Sequence, residues 1–231
     1  RGGSATTRGL FSQVWQHLLL AKDDLGHVAS YRFDLVDVAR EVVSAAFSTR
    51  WSAFTADWQS GSMNSSDCAG RGAELLAVID DYDTLLSSDT NFMLGRWISW
   101  ARHSLDTNET QATAAATGAG TGESTGDWLE RNARNQITLW GPEGEINDYA
   151  KKEWGGLVRD YYKKRWALLI KMATETLERG SGKAWDQGAY NTAVFEQVEA
   201  PWSNATAPAF PSAPEHELLD IIEGLYVKYA D

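Results

Sequence analysis

The stretch Asn132-Ala133-Arg134-Asn135-Gln136-Ile137-Thr138-Leu139-Trp140-Gly141-Pro142-Glu143-Gly144-Glu145-Ile146-Asn147-Asp148-Tyr149-Ala150, continuing through Trp154, Tyr161 and Tyr162 to Lys163-Lys164-Arg165-Trp166, decides how the chain folds. Two helical patterns meet in it. The first closes with Ile137, Leu139 and Trp140, and Gly141-Pro142 stops it, because proline has no N–H and drives its predecessor out of the α region. Gly144 makes a second break. Asn147 or Asp148 then offers a side-chain oxygen to cap a new helix.

That new helix is expected to run from Tyr149 to about Arg179, roughly 45 Å at about 1.5 Å per residue. Trp154, Val158, Tyr162, Trp166 and Ile170 form one row, and Leu157, Tyr161, Leu169, Ala173 and Leu177 the next, so the helix carries a broad apolar stripe. Arg165 falls inside the second row. A cation there is costly unless satisfied, so a buried, paired arginine is expected. Gly155 and Gly156 each weaken a helix interior by about 1 kcal/mol relative to alanine, which implies a close approach to the backbone at that point.

Outward from this centre the pattern stays helical. Residues 1–9 are small and polar and read as a disordered N-terminal segment; residues 10–231 read as a single helical domain. A first helix carries Val14, Trp15, Leu18 and Leu19, and Tyr31 to Trp58 is amphipathic through Leu35, Val38, Val42, Ala46 and Trp51. Ser60 to Gly72 reads as a loop, with helices then expected at about Ala73–Leu86 and Phe92–Leu105. The Ala/Thr/Gly tract at about 107–126 has no periodicity and few large apolar groups, and reads as a low-complexity insertion. Asp127 and Glu130 form a capping-box pattern that restarts helix. After Gly180-Ser181-Gly182, Asn191 can cap a short helix through Val194, Phe195 and Val198. Pro201 to Pro214 is a proline-punctuated loop, and Glu215 to Tyr229 a closing helix. With no convincing strand, the fold class is all-α: an irregular multi-helix bundle with one long helix at about 149–179.

The totals narrow the function. A net charge of −11 offers no basic face for a nucleic-acid backbone and no cationic patch for an anionic membrane, and no apolar run reaches a bilayer span. Eleven tryptophans are consistent with thick aromatic packing or with surfaces on which sugar rings stack. The single cysteine, Cys68, forms no internal disulfide and is either free or paired with a second polypeptide. The histidines His17, His27, His103 and His216 show no metal-ligand spacing, and no cofactor or metal motif is present. Asn-x-Ser/Thr sequons at Asn64, Asn108 and Asn204 lie in polar, breaker-rich contexts. Arg1 is not an initiating methionine, which reads as a processed or partial product whose signal peptide, if any, lay upstream.

Trp140-Gly141-Pro142-Glu143-Gly144, with Ile146, Asp148-Tyr149-Ala150, Gly156-Leu157-Val158, Tyr161-Tyr162 and Arg165-Trp166, closely resembles the C-terminal helical region of the α-N-acetylglucosaminidases, the retaining enzymes of glycoside hydrolase family 89. Two further blocks fit in the same order: Tyr31-Arg32-Phe33-Asp34-Leu35-Val36-Asp37-Val38-Ala39-Arg40, and Leu85-Leu86-Ser87-Ser88-Asp89 with Phe92-Met93-Leu94-Gly95-Arg96-Trp97. The resemblance spans about Val14 to Arg179, and more loosely Leu225 to Tyr229.

Glu143, Glu145 and Asp148 beside Trp140 and Tyr149 form a tempting acidic cluster, since retaining glycosidases use two carboxyls about 5–5.5 Å apart. The plainer reading is first-turn acids favoured by the helix dipole. The resemblance implies the latter, because similar proteins carry both catalytic glutamates on an upstream TIM-barrel portion; no catalytic residue is expected in this chain. What it implies for this chain is a wall of the sugar pocket, with Trp140, Ile146 and Tyr149 as substrate-binding residues. Arg134 and Arg165 match family arginines and read as structural ion-pair partners. Glu145 stands where an amide is usual, adding a negative charge at the pocket rim.

The resemblance therefore implies an exo-acting enzyme that removes terminal α-linked N-acetylglucosamine from glycans such as heparan sulfate, without a cofactor. The expected partners are the barrel portion of the same enzyme and a glycan, not nucleic acid or membrane, with homo-oligomerisation left open. The sequons and the resemblance place the protein in the lysosome or outside the cell. The alternative from a different class is a non-catalytic helical module that binds a protein or a glycan.

Overall fold

The computed structural model describes residues 5–104, 124–148, 152–180 and 184–230, together with the backbone but not the side chains of 5–7. Helix α1 spans Ala5–Leu20, α2 Lys22–Leu25, α3 Ala29–Ser60 and α4 Ser65–Leu86. Helix α5 is Leu94–Arg102 and α6 is Thr125–Ile137. A π-helical turn at Val158–Tyr162 opens α7, Lys163–Glu178. Helix α8 (Gln187–Val194) passes through a second π turn, Phe195–Glu199, into α9 (Ala200–Asn204), and α10 is Leu218–Tyr229. Among the described residues the only extended pairing is an isolated parallel bridge between Met93 and Gly155, so the fold is all-α.

Three apolar clusters hold these helices. The largest joins α1, α3, α4 and α10 through Trp15, Leu35, Val42, Val78, Leu86, Leu218 and Ile222. A second joins α5 and α6 to the start of α7 through Leu94, Ile98, Ala133, Ile137, Leu157, Tyr161 and Trp202. The third seals the far end of α3 against α4 and α7 with Phe54, Cys68, Leu75 and Ala173. Cys68 is fully buried, free, and bonded through Sγ by the Thr174 hydroxyl at 3.4 Å, which leaves it no access to a second polypeptide.

The apolar rows of the central stretch are confirmed: Leu157, Val158, Tyr161, Ile170 and Ala173 are buried. The helix start is not. Instead of running from about 149 it begins beside Gly156, which adopts φ 86°, and neither Asn147 nor Asp148 caps it. The cap is tertiary: Asp83 of α4 accepts from the N–H groups of Gly156 (2.7 Å) and Arg159 (3.1 Å). Gly155 and Gly156 therefore lie before the helix, not inside it. The expected close approach is real, since a Cβ on Gly155 would stand 2.8 Å from the Ser87 nitrogen. The longest helix is α3, at 32 residues.

Other boundaries move for local reasons. Helix α1 begins at Ala5, inside the segment read as disordered. The 60–72 stretch is a loop only to Asn64, whose side chain accepts from the Asp67 N–H and starts α4 eight residues earlier than expected. The N-cap of α6 is Ser124, whose Oγ accepts from the Asp127 N–H and donates to the Asp127 carboxylate, one turn before the expected pair. Asp186, not Asn191, caps α8. Most of the insertion read at 107–126 lies outside the described residues.

Candidate functional site

The turn between α6 and α7 is built on the last residues of α6. Trp140 N–H donates to the Asn135 carbonyl at 2.8 Å and Thr138 Oγ1 to the Arg134 carbonyl at 2.6 Å, which closes the helix end. The Asn135 side chain then grips Gly141 from both sides: its Oδ1 accepts from Gly141 N (2.8 Å) and its Nδ2 donates to Gly141 O (2.7 Å). Trp140 (φ 49°), Gly141 (φ 142°), Gly144 (φ 81°) and Asp148 (φ 56°) all take positive φ. For a non-glycine residue that conformation costs about 1–2 kcal/mol, and it persists only where surrounding contacts hold it.

These contacts turn the chain outward. Trp140 is 44% exposed and Ile146 46%, both on the same short turn, while Thr138 and Leu139 immediately before them are buried. Tyr149, the third residue expected to touch sugar, lies outside the described residues. An exposed indole and an isoleucine on a turn pinned at its base make an apolar ledge, the kind of surface on which one face of a pyranose packs. Most of the other tryptophans serve packing: Trp15 and Trp202 are buried, and Trp51 with Trp166 and Trp58 with Trp185 meet edge to face.

The acids of the turn are not first-turn helix acids, because the helix starts later. Asp148 Oδ2 accepts from Arg165 Nη1 at 2.6 Å, and its N–H bonds the Thr138 carbonyl at 2.8 Å. Glu145 Oε2 folds back over Gly141 and accepts from Glu143 N at 3.3 Å.

Behind the turn lies a polar network. Arg165, with a side chain 22% exposed, also places Nε 3.0 Å from Glu199 Oε1 and stacks its guanidinium over Tyr161 at 5.3 Å. Glu199 is 1% exposed; burial pushes its carboxyl above the usual range, against the pull of the Arg165 charge. Burial works most strongly against the charge on Arg165, yet its pKa rises, because the hydrogen bond to Asp148 and the negative charges of Asp148 and Glu199 together outweigh that penalty. The paired arginine expected at this position is thus present and half-buried. Arg134 is structural as expected: its guanidinium lies 5.0 Å from the Trp202 ring and 4.6 Å from Phe210, and it bonds Glu130 and the Trp202 carbonyl.

Asn135, Glu199 and Asp83 were not singled out from sequence. Asp83 had a signal: Leu75, Ile79, Asp83 and Leu86 share one face of α4, so a carboxylate sits in an apolar stripe. Asn135 and Glu199 had none, because their partners are 6 and 34 residues away across turns whose geometry no periodicity reports. Of the sequons, Asn64 and Asn204 are exposed, and Asn108 lies outside the described residues. Among the described residues no group of three His, Cys, Asp or Glu side chains is arranged to hold a metal, and no helix is long and apolar enough to cross a membrane.

Comparison with known proteins gives a consistent answer. The family model of the alpha-N-acetylglucosaminidase (NAGLU) C-terminal domain matches residues 7–228. Human alpha-N-acetylglucosaminidase is 30% identical over 217 residues, which cover 94% of this chain and 26% of the human protein. Among solved structures, the family 89 glycoside hydrolase of Clostridium perfringens bound to 2-acetamido-1,2-dideoxynojirmycin superposes with a TM-score of 0.77 at 20% identity, covering 97% of this chain and 24% of that one. A variant of the same hydrolase, in complex with its substrate GlcNAc-alpha-1,4-galactose, gives 0.74 at 22% identity, covering 94% and 23%. The chain spans about a quarter of the length of these relatives.

Proposed function

The chain belongs to the family of α-N-acetylglucosaminidase C-terminal domains, and from that footing we propose that it forms one wall of the sugar pocket in a longer glycosidase. The whole enzyme hydrolyses terminal α-linked N-acetylglucosamine at the non-reducing end of a glycan, with heparan sulfate as one candidate substrate. It does so by double displacement without a cofactor, and its two catalytic carboxyls sit on a barrel portion outside this chain, so this chain alone is inactive. Trp140 offers an aromatic face, Ile146 an apolar contact and Tyr149 a phenolic one.

The observation that carries this reading is the exposure of Trp140 and Ile146 together on a turn whose base is fixed by Asn135 and Arg165. A core tryptophan would be sealed; an incidental surface tryptophan would not need its own backbone held at positive φ, with Asp148 held likewise at the far end of the turn. Trp140→Ala in the barrel-containing enzyme is expected to lower kcat/KM by about two orders of magnitude or more, roughly the effect of misplacing a substrate at its reacting centre. Its thermal midpoint is expected to move little. Intact turnover with a large loss of stability would reduce Trp140 to a packing residue, and the reading as a non-catalytic interaction module would replace this one.

Delivery to the lysosome or outside the cell is part of the same proposal, supported by the exposed sequons at Asn64 and Asn204. Removal of N-glycans from the protein made in a secretory host is expected to lower its mass by at least two glycans, and Asn64→Gln with Asn204→Gln to abolish that part of the shift.

A further inference from the structure

The two ends of the turn are held by different chemistry. At Gly141 the Asn135 amide grips one backbone unit, and donor and acceptor lie on the same helix end. At Asp148 the grip reaches across three segments: the turn, α7 through Arg165, and the π turn 195–199 through Glu199. We propose that the Arg165–Glu199 pair is a positioning device for the sugar-binding turn, setting the angle at which Trp140 and Ile146 are presented without itself touching the sugar. This rests on the reading of Trp140 and Ile146 given above.

The argument is geometric. Asp148 sits at φ 56°, a conformation that relaxes unless its surroundings hold it. Its N–H is tied to the Thr138 carbonyl at 2.8 Å and its carboxylate to Arg165 Nη1 at 2.6 Å. Arg165 can serve as an anchor because its other face is itself fixed: Nε meets Glu199, and its carbonyl accepts from Tyr190 Oη at 3.4 Å. A planar guanidinium presents Nε and Nη1 in one rigid fork and so spans both carboxylates at once; a lysine ammonium is a single point on a flexible stem. A buried ion pair contributes little to stability compared with an apolar replacement of the same shape, but it fixes one arrangement of the segments that meet on it.

The test uses the barrel-containing enzyme with 2-acetamido-1,2-dideoxynojirmycin as probe. Dissociation constants, kcat, KM and thermal midpoints are measured for Arg165→Lys, Glu199→Gln, Trp140→Ala and the pairwise combinations with Trp140→Ala. Arg165→Lys and Glu199→Gln are each expected to weaken probe binding on the order of 10- to 100-fold in protein that is folded at the assay temperature, the effect of misplacing a pocket wall by about 1 Å. Combined with Trp140→Ala, neither is expected to weaken binding further, because the pair acts through the turn. A purely structural pair would lower the midpoint and leave the probe affinity of the folded enzyme unchanged, which overturns the proposal. Should Arg165→Lys fail to fold, Glu199→Gln, matched in shape, carries the same test. Wild-type affinity in Arg165→Lys and Glu199→Gln beside weak binding in Trp140→Ala refutes the positioning role alone. Wild-type affinity in Trp140→Ala refutes the sugar-wall reading, and this proposal with it.

Discussion

Arg134 is 2% exposed, lies against the rings of Trp202 and Phe210, and shares the Glu130 carboxylate with Arg102. Removing one partner of such a cluster strands the other. Arg134→Met is expected to cost about 3–5 kcal/mol in urea unfolding, because Glu130, 3% exposed, is left with only the half-exposed Arg102. Replacing both, as Arg134→Met with Glu130→Leu, is expected to recover most of the loss. A single substitution costing under about 1 kcal/mol would show that the pair is not energetically coupled. The same residue-scale logic separates Arg134 from Arg165: the first is enclosed by apolar rings, the second faces the turn that the proposed function uses.

At the scale of elements, α4 and α7 lie against each other, and Gly72 sets how closely. A Cβ there would meet Ile170 Cγ2 at 2.2 Å, and a β-branched methyl cannot swing away, so the helices would have to separate. Gly70, two residues earlier, has nothing within 4 Å of such a Cβ. Gly72→Ala is therefore expected to destabilise by about 1–3 kcal/mol, and Gly70→Ala to stabilise by about 0.5–1 kcal/mol through helix propensity. Equal midpoints for the two variants would mean that the crossing is looser than drawn. The cap on α7 makes a second element-scale prediction. Asp83→Ala removes the acceptor for the Gly156 and Arg159 N–H groups and is expected to cost about 1–2 kcal/mol, with amide exchange faster at 156–160 than along the middle of α7.

For the whole molecule the telling variable is pH. Burial raises the Asp83 carboxyl, against the opposing pull of the Gly156 N–H and Arg159, and burial likewise raises Glu199. A carboxyl raised in the fold holds its proton more tightly folded than unfolded. Its contribution is complete below the ordinary carboxylate range and is lost as pH climbs through the raised value. The net charge of −11 adds self-repulsion at neutral pH that acidification relieves. Asp127, held low by Ser124 and Arg102, and Glu217, held low by Arg32, act oppositely: their contribution is lost only as pH falls through their depressed values. The thermal midpoint is therefore expected to rise from about pH 7.5 to about pH 5 and to fall below about pH 3.5. Glu199→Gln is expected to shrink the rise. A midpoint that drops steadily from neutral to pH 5 would refute this account.

The chain by itself determined the all-α class, the apolar stripe of α7, the paired arginine at 165 and the family, because each is written in residues close in sequence or in ordered blocks of residue types. The outward ledge of Trp140 and Ile146 was legible only through that resemblance; periodicity says where a helix ends, not which way the next turn faces. Tertiary structure alone decided where α7 begins, because the acceptor for its free N–H groups arrives from Asp83, 73 residues away. It alone brought Glu199 to Arg165. In both a distant segment is brought to a buried polar group, and the energy that selects the partner comes from packing the helices together, which no local stretch of sequence contains.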